Sequence, residues 1–568
     1  MRKKLISKKS FKVKPNMADY DKTYRNFSYK NAAKEIEWFG RKTNAAYNAI
    51  DRHIKNNKNK VALYWEGVNE SKKFTFLEMK ILTDKFANVL KSLGVKKGDR
   101  IFIFLPRVPE LYVSFLGILK VGAIAGTLFA AFGPTALKDR LKDSGAKIVI
   151  TNSEMKKRLE KTKLKLKYIL VDTERSKGKN ISYKERMREA DEKFSVAMMN
   201  PNDYAFMLYT SGTTGKPKGV VHSHKAILHE HMTAKWVLDI HPNDIYWCTA
   251  DPGWITGIAY EILGSWSNLC SSVVYEGRFD PAKWYSIIEK YKVSVWYTAP
   301  TAARMLMAAG NKIPKKYNLS SLRHICSVGE PLNPEPIYWA QKVFGLPFHD
   351  TWWQTETGGI LIGNYPCMPI KPGSMGKPVP GIKAGIVDDK GRSLGTYKEG
   401  NLAIRPGWPS MMRAIWKRRK KYNQYFVNGW YISGDRAYVD KDGYFWFIGR
   451  SDDVIKTAGE RVGPFEVESA LIEHPAVVEA GVIGKPDLLR GEIIKAFVIL
   501  SKGHKPSKAL GEKIKNHVKK KFAGHAYPRE IEFVKTLPKT RSGKIARRVL
   551  KAREMGLPVG DTSTIEEM

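Results

Sequence analysis

Residues 209–219 read YTSGTTGKPKG and gather the groups that grip an anion. Thr210, Ser211, Thr213 and Thr214 bring hydroxyls, Gly212, Gly215 and Gly219 bring freedom of φ, and Lys216 and Lys218 bring charge. Glycines let backbone N–H groups turn toward a phosphate, and hydroxyl and ammonium groups add donors. The spacing is not that of a Walker loop, in which a longer gap separates the first glycine from a Gly-Lys pair followed by Ser or Thr. Here Pro217 follows Lys216. A flexible surface loop is the bland alternative, and it leaves this composition unexplained.

A second polar constellation runs Asp350-Thr351-Trp352-Trp353-Gln354-Thr355-Glu356-Thr357-Gly358-Gly359. Its two indoles offer flat apolar walls. Glu356 offers a hard oxygen donor, the kind Mg2+ takes beside phosphate oxygens. A Trp-rich core turn would account for the tryptophans but not for the polar groups around them. Near the C-terminus, Arg541-Ser542-Gly543-Lys544 sets a lysine in a glycine-bearing basic turn.

The surrounding chain alternates strand and helix. Residues 60–65, 100–105, 124–128, 147–151 and 168–171 read as strands, with helices over 75–93 and 110–121 between them. The apolar run 205–209 leads into the glycine-rich loop as a buried strand. Downstream, the strands 293–297, 324–328 and 346–349 each end in a polar turn bearing Gly or Pro: Thr298-Ala299-Pro300, Gly329-Glu330-Pro331 and Asp350–Gly359. Open α/β sheets bind ligands at the carboxyl ends of their strands, so these turns are expected to converge on one cleft. Past residue 450 the elements shorten. Val467, Ala470, Leu471 and His474 mark a helix, 477–483 and 493–500 read as strands, and 508–522 is a basic helix. The fold class is α/β: a large layered domain over 17–450 and a small α+β domain over 451–568, after a basic extension, 1–16, expected to be disordered.

At 568 residues, 43% hydrophobic and 27% charged, the chain can bury a large interior in more than one domain. No segment has the apolar length of a membrane span; 102–132 comes nearest but carries Arg107, Glu110 and Lys120. The start is basic without an apolar signal core, so a cytoplasmic protein with no membrane partner is expected. Cys248, Cys270, Cys326 and Cys367 are scattered, without a zinc or disulfide pattern. The net charge of +41 invites a nucleic-acid reading, the competing class. Lysine is spread along the whole chain, however, so no nucleic-acid partner is expected. The densest internal run, Lys417-Arg418-Arg419-Lys420-Lys421, reads as a solvated basic loop.

The glycine-rich loop resembles the signature of AMP-forming acyl-CoA synthetases, the superfamily that also holds peptide-synthetase adenylation domains and firefly-type luciferases. Asp350–Glu356 resembles its adenine, phosphate and metal loop, and Gly329-Glu330-Pro331 its second adenine turn. Tyr431-Ile432-Ser433-Gly434-Asp435 is similar to the motif whose aspartate binds the ribose hydroxyls, and Arg450 and Arg461 match arginines near ribose and phosphate. Lys544, in LPKTRSGKIARR, matches the catalytic lysine. WWQTETGG, ADPGWITG and the ending GLPVGDTSTIEE resemble the acetate-activating members in particular.

The resemblance implies a cleft for an adenylate, closed on the acyl side by Trp353 with Ile255, Thr256 and Val328. It implies two half-reactions: acetate plus ATP to acetyl-AMP and pyrophosphate, then transfer to CoA with release of AMP. Lys544, Thr210 and Glu356 would be catalytic, with Mg2+ as cofactor. A swing of the small domain about Asp452 would bring Ala458-Gly459 to CoA beside Thr256, with Lys519 and Lys157 near its phosphates. A second cation is implied at Ile472, His474 and Val477. Propionate, 3-hydroxypropionate and 4-hydroxybutyrate are alternative acids, because one methylene in an apolar pocket is worth only about 1–3 kcal/mol. A lysine acyltransferase or deacylase acting on Lys544 is a further expected partner.

Overall fold

A computed structural model describes residues 5–7, 11–210, 217–457, 460–521, 526–540, 544–559 and 565. Three sheets build the large N-terminal part. The first has nine strands. Its central strands, Phe348–Trp352, His324–Ser327, Val295–Thr298, Ile245–Cys248, Ser271–Tyr275 and Val61–Glu66, run parallel in that order. The second has eight. There Lys218–Ser223 and Tyr204–Thr210 form an antiparallel pair, followed by the parallel strands Ile124–Thr127, Arg100–Ile103, Ile148–Thr151, Lys167–Leu170 and Asn180–Ser182. The third is antiparallel and runs from Ala384–Val387 to Phe445–Arg450.

The longer helices of this part lie against the first two sheets and bury one face, or nearly all of themselves. Phe76–Ser92 starts at a capping box in which Thr75 and Glu78 satisfy each other's backbone N–H groups. Pro109–Lys120 is buried almost throughout. Its Lys120 ammonium is fully buried between Asp84 at 2.6 Å and Asp51 at 2.9 Å, which compensates a charge that could not otherwise leave water. Among the described residues no helix is long and apolar enough to cross a membrane.

A fourth sheet, with strands Ile455–Thr457, Glu460–Val462, Val477–Asp487, Gly491–Leu500 and Glu530–Phe533, has its own core under the helices Pro464–Ile472 and Lys508–Lys521. This is the smaller C-terminal domain. The basic extension differs from its expectation over its described residues. Ile6 pairs with Ile370, the Asn16 amide donates to the Lys235 and Ile240 carbonyls, and the Lys12 ammonium reaches the Leu322 carbonyl at 3.1 Å.

Candidate active site

Register places the polar turns together. Thr298 lies opposite Ser327, and Ser327 opposite Asp350, at the carboxyl ends of three adjacent parallel strands. Beyond these ends a cleft of about 1190 Å3 is walled by all four sheets. It is lined by Thr210, Ile255, Thr256, Val328, Gly329, Glu330, Pro331, Asp435, Arg450 and Lys544, and by every residue from Asp350 to Glu356. Residues some 330 positions apart in the chain, from Thr210 to Lys544, thus face one volume.

Asp435 is buried at the centre of a polar fan. Its Oδ2 accepts the Trp352 indole N–H at 2.9 Å and the Gln354 amide at 3.0 Å, and its Oδ1 accepts from Arg450 at 3.0 Å. Burial raises its carboxyl above the ordinary range, opposed by Arg450, the Trp352 N–H and Lys544. The Tyr431 phenol fixes Gln354 from the other side at 2.8 Å. Trp352 is therefore a donor as well as a wall. Trp353 turns the opposite way, as side chains at a strand end alternate. Its indole N–H donates to the Tyr297 hydroxyl at 3.2 Å and its ring meets Tyr260 edge to face at 5.1 Å. It lines the same cleft as Ile255, Thr256 and Val328, the residues expected to form the acyl wall.

Glu356 is buried. Lys218 Nζ sits 2.8 Å from its Oε1, and the Tyr425 phenol donates to the same oxygen at 3.1 Å. Burial alone would push the carboxyl up, but Lys218 outweighs it and holds Glu356 below the usual range. The same pair holds the Lys218 proton more tightly than burial would allow. Burial, then the Glu356 charge, push the Tyr425 phenol up to about 12, so it stays a donor. Gly358, at φ +69°, ends this turn in the left-handed region, and an added Cβ would collide with the Ser410 carbonyl and the His222 ring.

Lys544 enters the cleft from the small domain. Its backbone is pinned to Thr540, whose N–H donates to the Lys544 carbonyl at 2.7 Å and whose hydroxyl accepts the Lys544 N–H at 3.1 Å. The side chain keeps access to water in the open cleft while protein surrounds it. Desolvation and the Arg450 charge lower its affinity for a proton, against the pull of Glu330, Asp435 and Glu356. Among the buried polar atoms on the cleft wall without a hydrogen-bond partner among the described residues are Thr210 Oγ1 and Asp350 Oδ1. A ligand with polar atoms would satisfy both.

Several sequence expectations fall elsewhere. Ser211, Gly212, Thr213, Thr214, Gly215, Lys216, Ala458 and Gly459 lie outside the described residues, as does the side chain of Arg461. Lys157 and Lys519 are exposed and do not line the cleft. Ile472 lines it, whereas His474 follows the helix end half-buried, ring to ring with His517, and its carbonyl accepts the Val477 N–H at 2.9 Å. Among the described residues no group of three or more His, Cys, Asp or Glu could hold a metal. Mg2+ fits one wall of the cleft nonetheless: it is held through one or two carboxylates plus substrate phosphates and water, and Glu356 is ionised there.

Sequence reasoning missed residues that the fold brings in. Arg304 donates to Glu330 at 2.8 Å and comes within 3.9 Å of Glu479 in the small domain. Tyr425 is seen only through Glu356. The basic run at 417–421 is not a solvated loop throughout: Arg418 and Lys421 line the cleft. Its density of charge was the signal, and its position was not readable.

The profile of AMP-binding enzymes matches residues 50–416, and that of the AMP-binding enzyme C-terminal domain matches residues 466–544. The chain is 56% identical to acetyl-coenzyme A synthetase of Bacillus subtilis (strain 168), over 97% of this chain and 98% of that protein. It is 42% identical to acetyl-coenzyme A synthetase of Methanothrix thermoacetophila, over 99% and 93%. Among solved structures, an anthranilate CoA ligase in complex with anthranoyl-AMP superposes with a TM-score of 0.85 at 32% identity, covering 93% of this chain and 99% of that one. A Brucella canis acyl-CoA synthetase gives 0.76 at 35%, covering 95% and 99%. With both profiles matched and relatives aligned over nearly its whole length, the chain belongs to the AMP-binding enzymes of the acyl-CoA synthetase family, beside the acetyl-coenzyme A synthetases.

Proposed function

We propose that this chain activates acetate with ATP and passes the acetyl group to CoA. The observation that carries the reading is the convergence of Trp353, Glu356 and Lys544 on one cleft. In the first half, an acetate oxygen attacks the α-phosphorus of ATP, the bond to the bridging oxygen breaks, and pyrophosphate leaves. Lys544 is placed to lie between the carboxylate and the α-phosphate, where an ammonium opposes the charge that builds in the transition state. Asp435, which lines the cleft, accepts the ribose hydroxyls. Thr210 and Lys218 face the β- and γ-phosphates. Mg2+, when bound, neutralises phosphate charge, and Glu356 is the carboxylate that would hold it. In the second half, the CoA thiolate attacks the acetyl carbonyl carbon and AMP leaves.

The two halves ask for different surroundings of one adenylate. We place the domain boundary at residue 450 and the pivot at Asp452. This residue is exposed in the turn 451–453, and its neighbour Asp453 binds Arg547 of the small domain. Turning there would withdraw Lys544 and bring Ala458-Gly459 to the CoA path. Acylation of Lys544 by a lysine acyltransferase would silence the first half only, because it removes the charge. Four unpaired cysteines suit a reducing cytoplasm. CoA-dependent AMP formation, measured with acids from formate to hexanoate, tests the reading. A maximum at acetate supports it, and a maximum at butyrate or longer overturns it.

A further inference from the structure

The basic run 417–421 stands at the mouth of the cleft, and strand register puts it there. Lys218–Ser223 pairs on one edge with Tyr204–Thr210, so that Thr210 lies opposite Lys218, and on the other with Ala414–Ile415. The Trp416 N–H then donates to the Gly219 carbonyl at 2.8 Å. The run emerges beside Lys218 and Thr210, where the β- and γ-phosphates of ATP are read to lie.

Its five cations are not equivalent. Half-buried Arg418 and exposed Lys421 line the cleft with Thr210, Lys218 and Gln424, whereas Arg419 and Lys420, also exposed, do not. Arg418 is also aimed. Asp143, in the helix Pro134–Ser144, binds its guanidinium at 3.1 Å, and the other carboxylate oxygen accepts the Tyr209 phenol at 2.7 Å. The Asp143 carbonyl accepts the Trp416 indole at 3.1 Å and the Lys417 ammonium at 2.9 Å. One residue thus ties the strand end before Thr210 to the basic run. Lys218 is already engaged by Glu356, so the charge of a departing diphosphate needs further cations. A guanidinium with donors to spare suits phosphate oxygens.

We propose that Arg418 and Lys421 form an outer anion subsite that receives pyrophosphate as it leaves the α-phosphate, with Asp143 as the positioning residue. The proposal rests on the acetate-activating reading for its ligand, and binding can be measured without that reaction. Inorganic pyrophosphate is titrated into the full chain by calorimetry, and its product inhibition against ATP is followed in parallel. In R418A/K421A the Kd and inhibition constant should rise about tenfold, the scale of losing a charge-assisted hydrogen bond. The salt dependence of binding should become shallower. R419A/K420A should match the unaltered chain. Asp143→Asn should raise KM for ATP while transfer from supplied acetyl-AMP to CoA keeps its rate. Unchanged pyrophosphate affinity in R418A/K421A overturns the subsite, and so does an equal loss in R419A/K420A, which would make the effect one of overall charge. If pyrophosphate binds through Arg418 and Lys421 but acetate drives no ATP–pyrophosphate exchange, the subsite stands and the acetate reading falls.

Discussion

At the scale of single residues, neighbours in the chain divide the work. Trp352 and Trp353 are alike in the sequence, but one donates to Asp435 and the other packs against Tyr260 and donates to Tyr297, where we read the acyl wall. Replacing Trp353 by Gly removes the wall and leaves the Tyr297 hydroxyl still paired with Thr351 at 2.8 Å, so no buried group is orphaned there. Each methylene that enters the opened space gains about 0.8 kcal/mol, and preference should move from acetate toward acids of roughly five to eight carbons. Values of kcat/KM across the acid series on folded variant check this; an unchanged profile with lowered stability would make Trp353 a packing residue only. Lys544→Ala should remove about 3 kcal/mol or more of transition-state stabilisation from adenylate formation and spare transfer from supplied acetyl-AMP. Desolvation by the surrounding cleft lowers the Lys544 pKa, and in the proposed mechanism the charged form is the active one. The first half-reaction is therefore present below that pKa and lost as pH rises through it, earlier than for an ordinary lysine near about 10.4. Pyrophosphate exchange against pH, beside thioester formation from acetyl-AMP, would reveal the difference; coincident alkaline limbs would count against the assignment.

At the scale of elements, the segment from Phe445–Arg450 to Ile455–Thr457 is decisive. It ends the last sheet of the large domain at Arg450, which binds Asp435, and enters the small sheet a few residues later. Asp453 between them and Glu468, in the helix Pro464–Ile472, both hold Arg547, at 3.5 and 2.6 Å, so the turn is attached to the small domain as well. Asp452→Pro fixes one backbone angle in that turn. One half-reaction should slow by at least about tenfold more than the other, a differential of 1.4 kcal/mol in barrier. Single-turnover rates for each half decide it, and wild-type rates for both would exclude Asp452 as the pivot. Many strands and helices were legible from sequence, though not Ile245–Cys248, Ser271–Tyr275 or the helix Pro134–Ser144. Helix 75–93 is found as Phe76–Ser92, and strand 205–209 within Tyr204–Thr210, because apolar periodicity and capping residues are local signals. The basic run was misread because nothing local says that Trp416 reaches the Gly219 carbonyl.

At the scale of the whole molecule, the two domains meet across the cleft through polar contacts as well as the packing of Phe447 on Phe465. The Asn333 amide donates to the Ser469 hydroxyl at 2.6 Å, and Arg304 approaches Glu479 at 3.9 Å while Lys539 holds the same carboxylate at 2.8 Å. Polar contacts of this kind can break and re-form when domains rearrange. Ser469→Ala deletes one hydroxyl from the small domain and leaves a buried amide without its partner. This pose should weaken by about 1 kcal/mol, slowing adenylate formation several-fold and leaving thioester transfer as it is. Burst kinetics of acetyl-AMP against steady-state acetyl-CoA formation give the ratio, and equal effects on both would show that the contact does not favour one pose.

The sequence by itself determined the elements, the polar turns at strand ends and, through resemblance of ordered motifs, the adenylate chemistry. These depend on residue types at short spacing, which the chain displays directly. Only the tertiary structure decided that Glu356 is held ionised by Lys218, that Asp435 gathers Trp352, Gln354 and Arg450, and that Arg418 and Lys421 face the cleft while Arg419 and Lys420 do not. Those facts come from sheet register and domain packing, which join residues hundreds of positions apart. A side chain's partners, and with them its charge and its aim, are set by that long-range assembly.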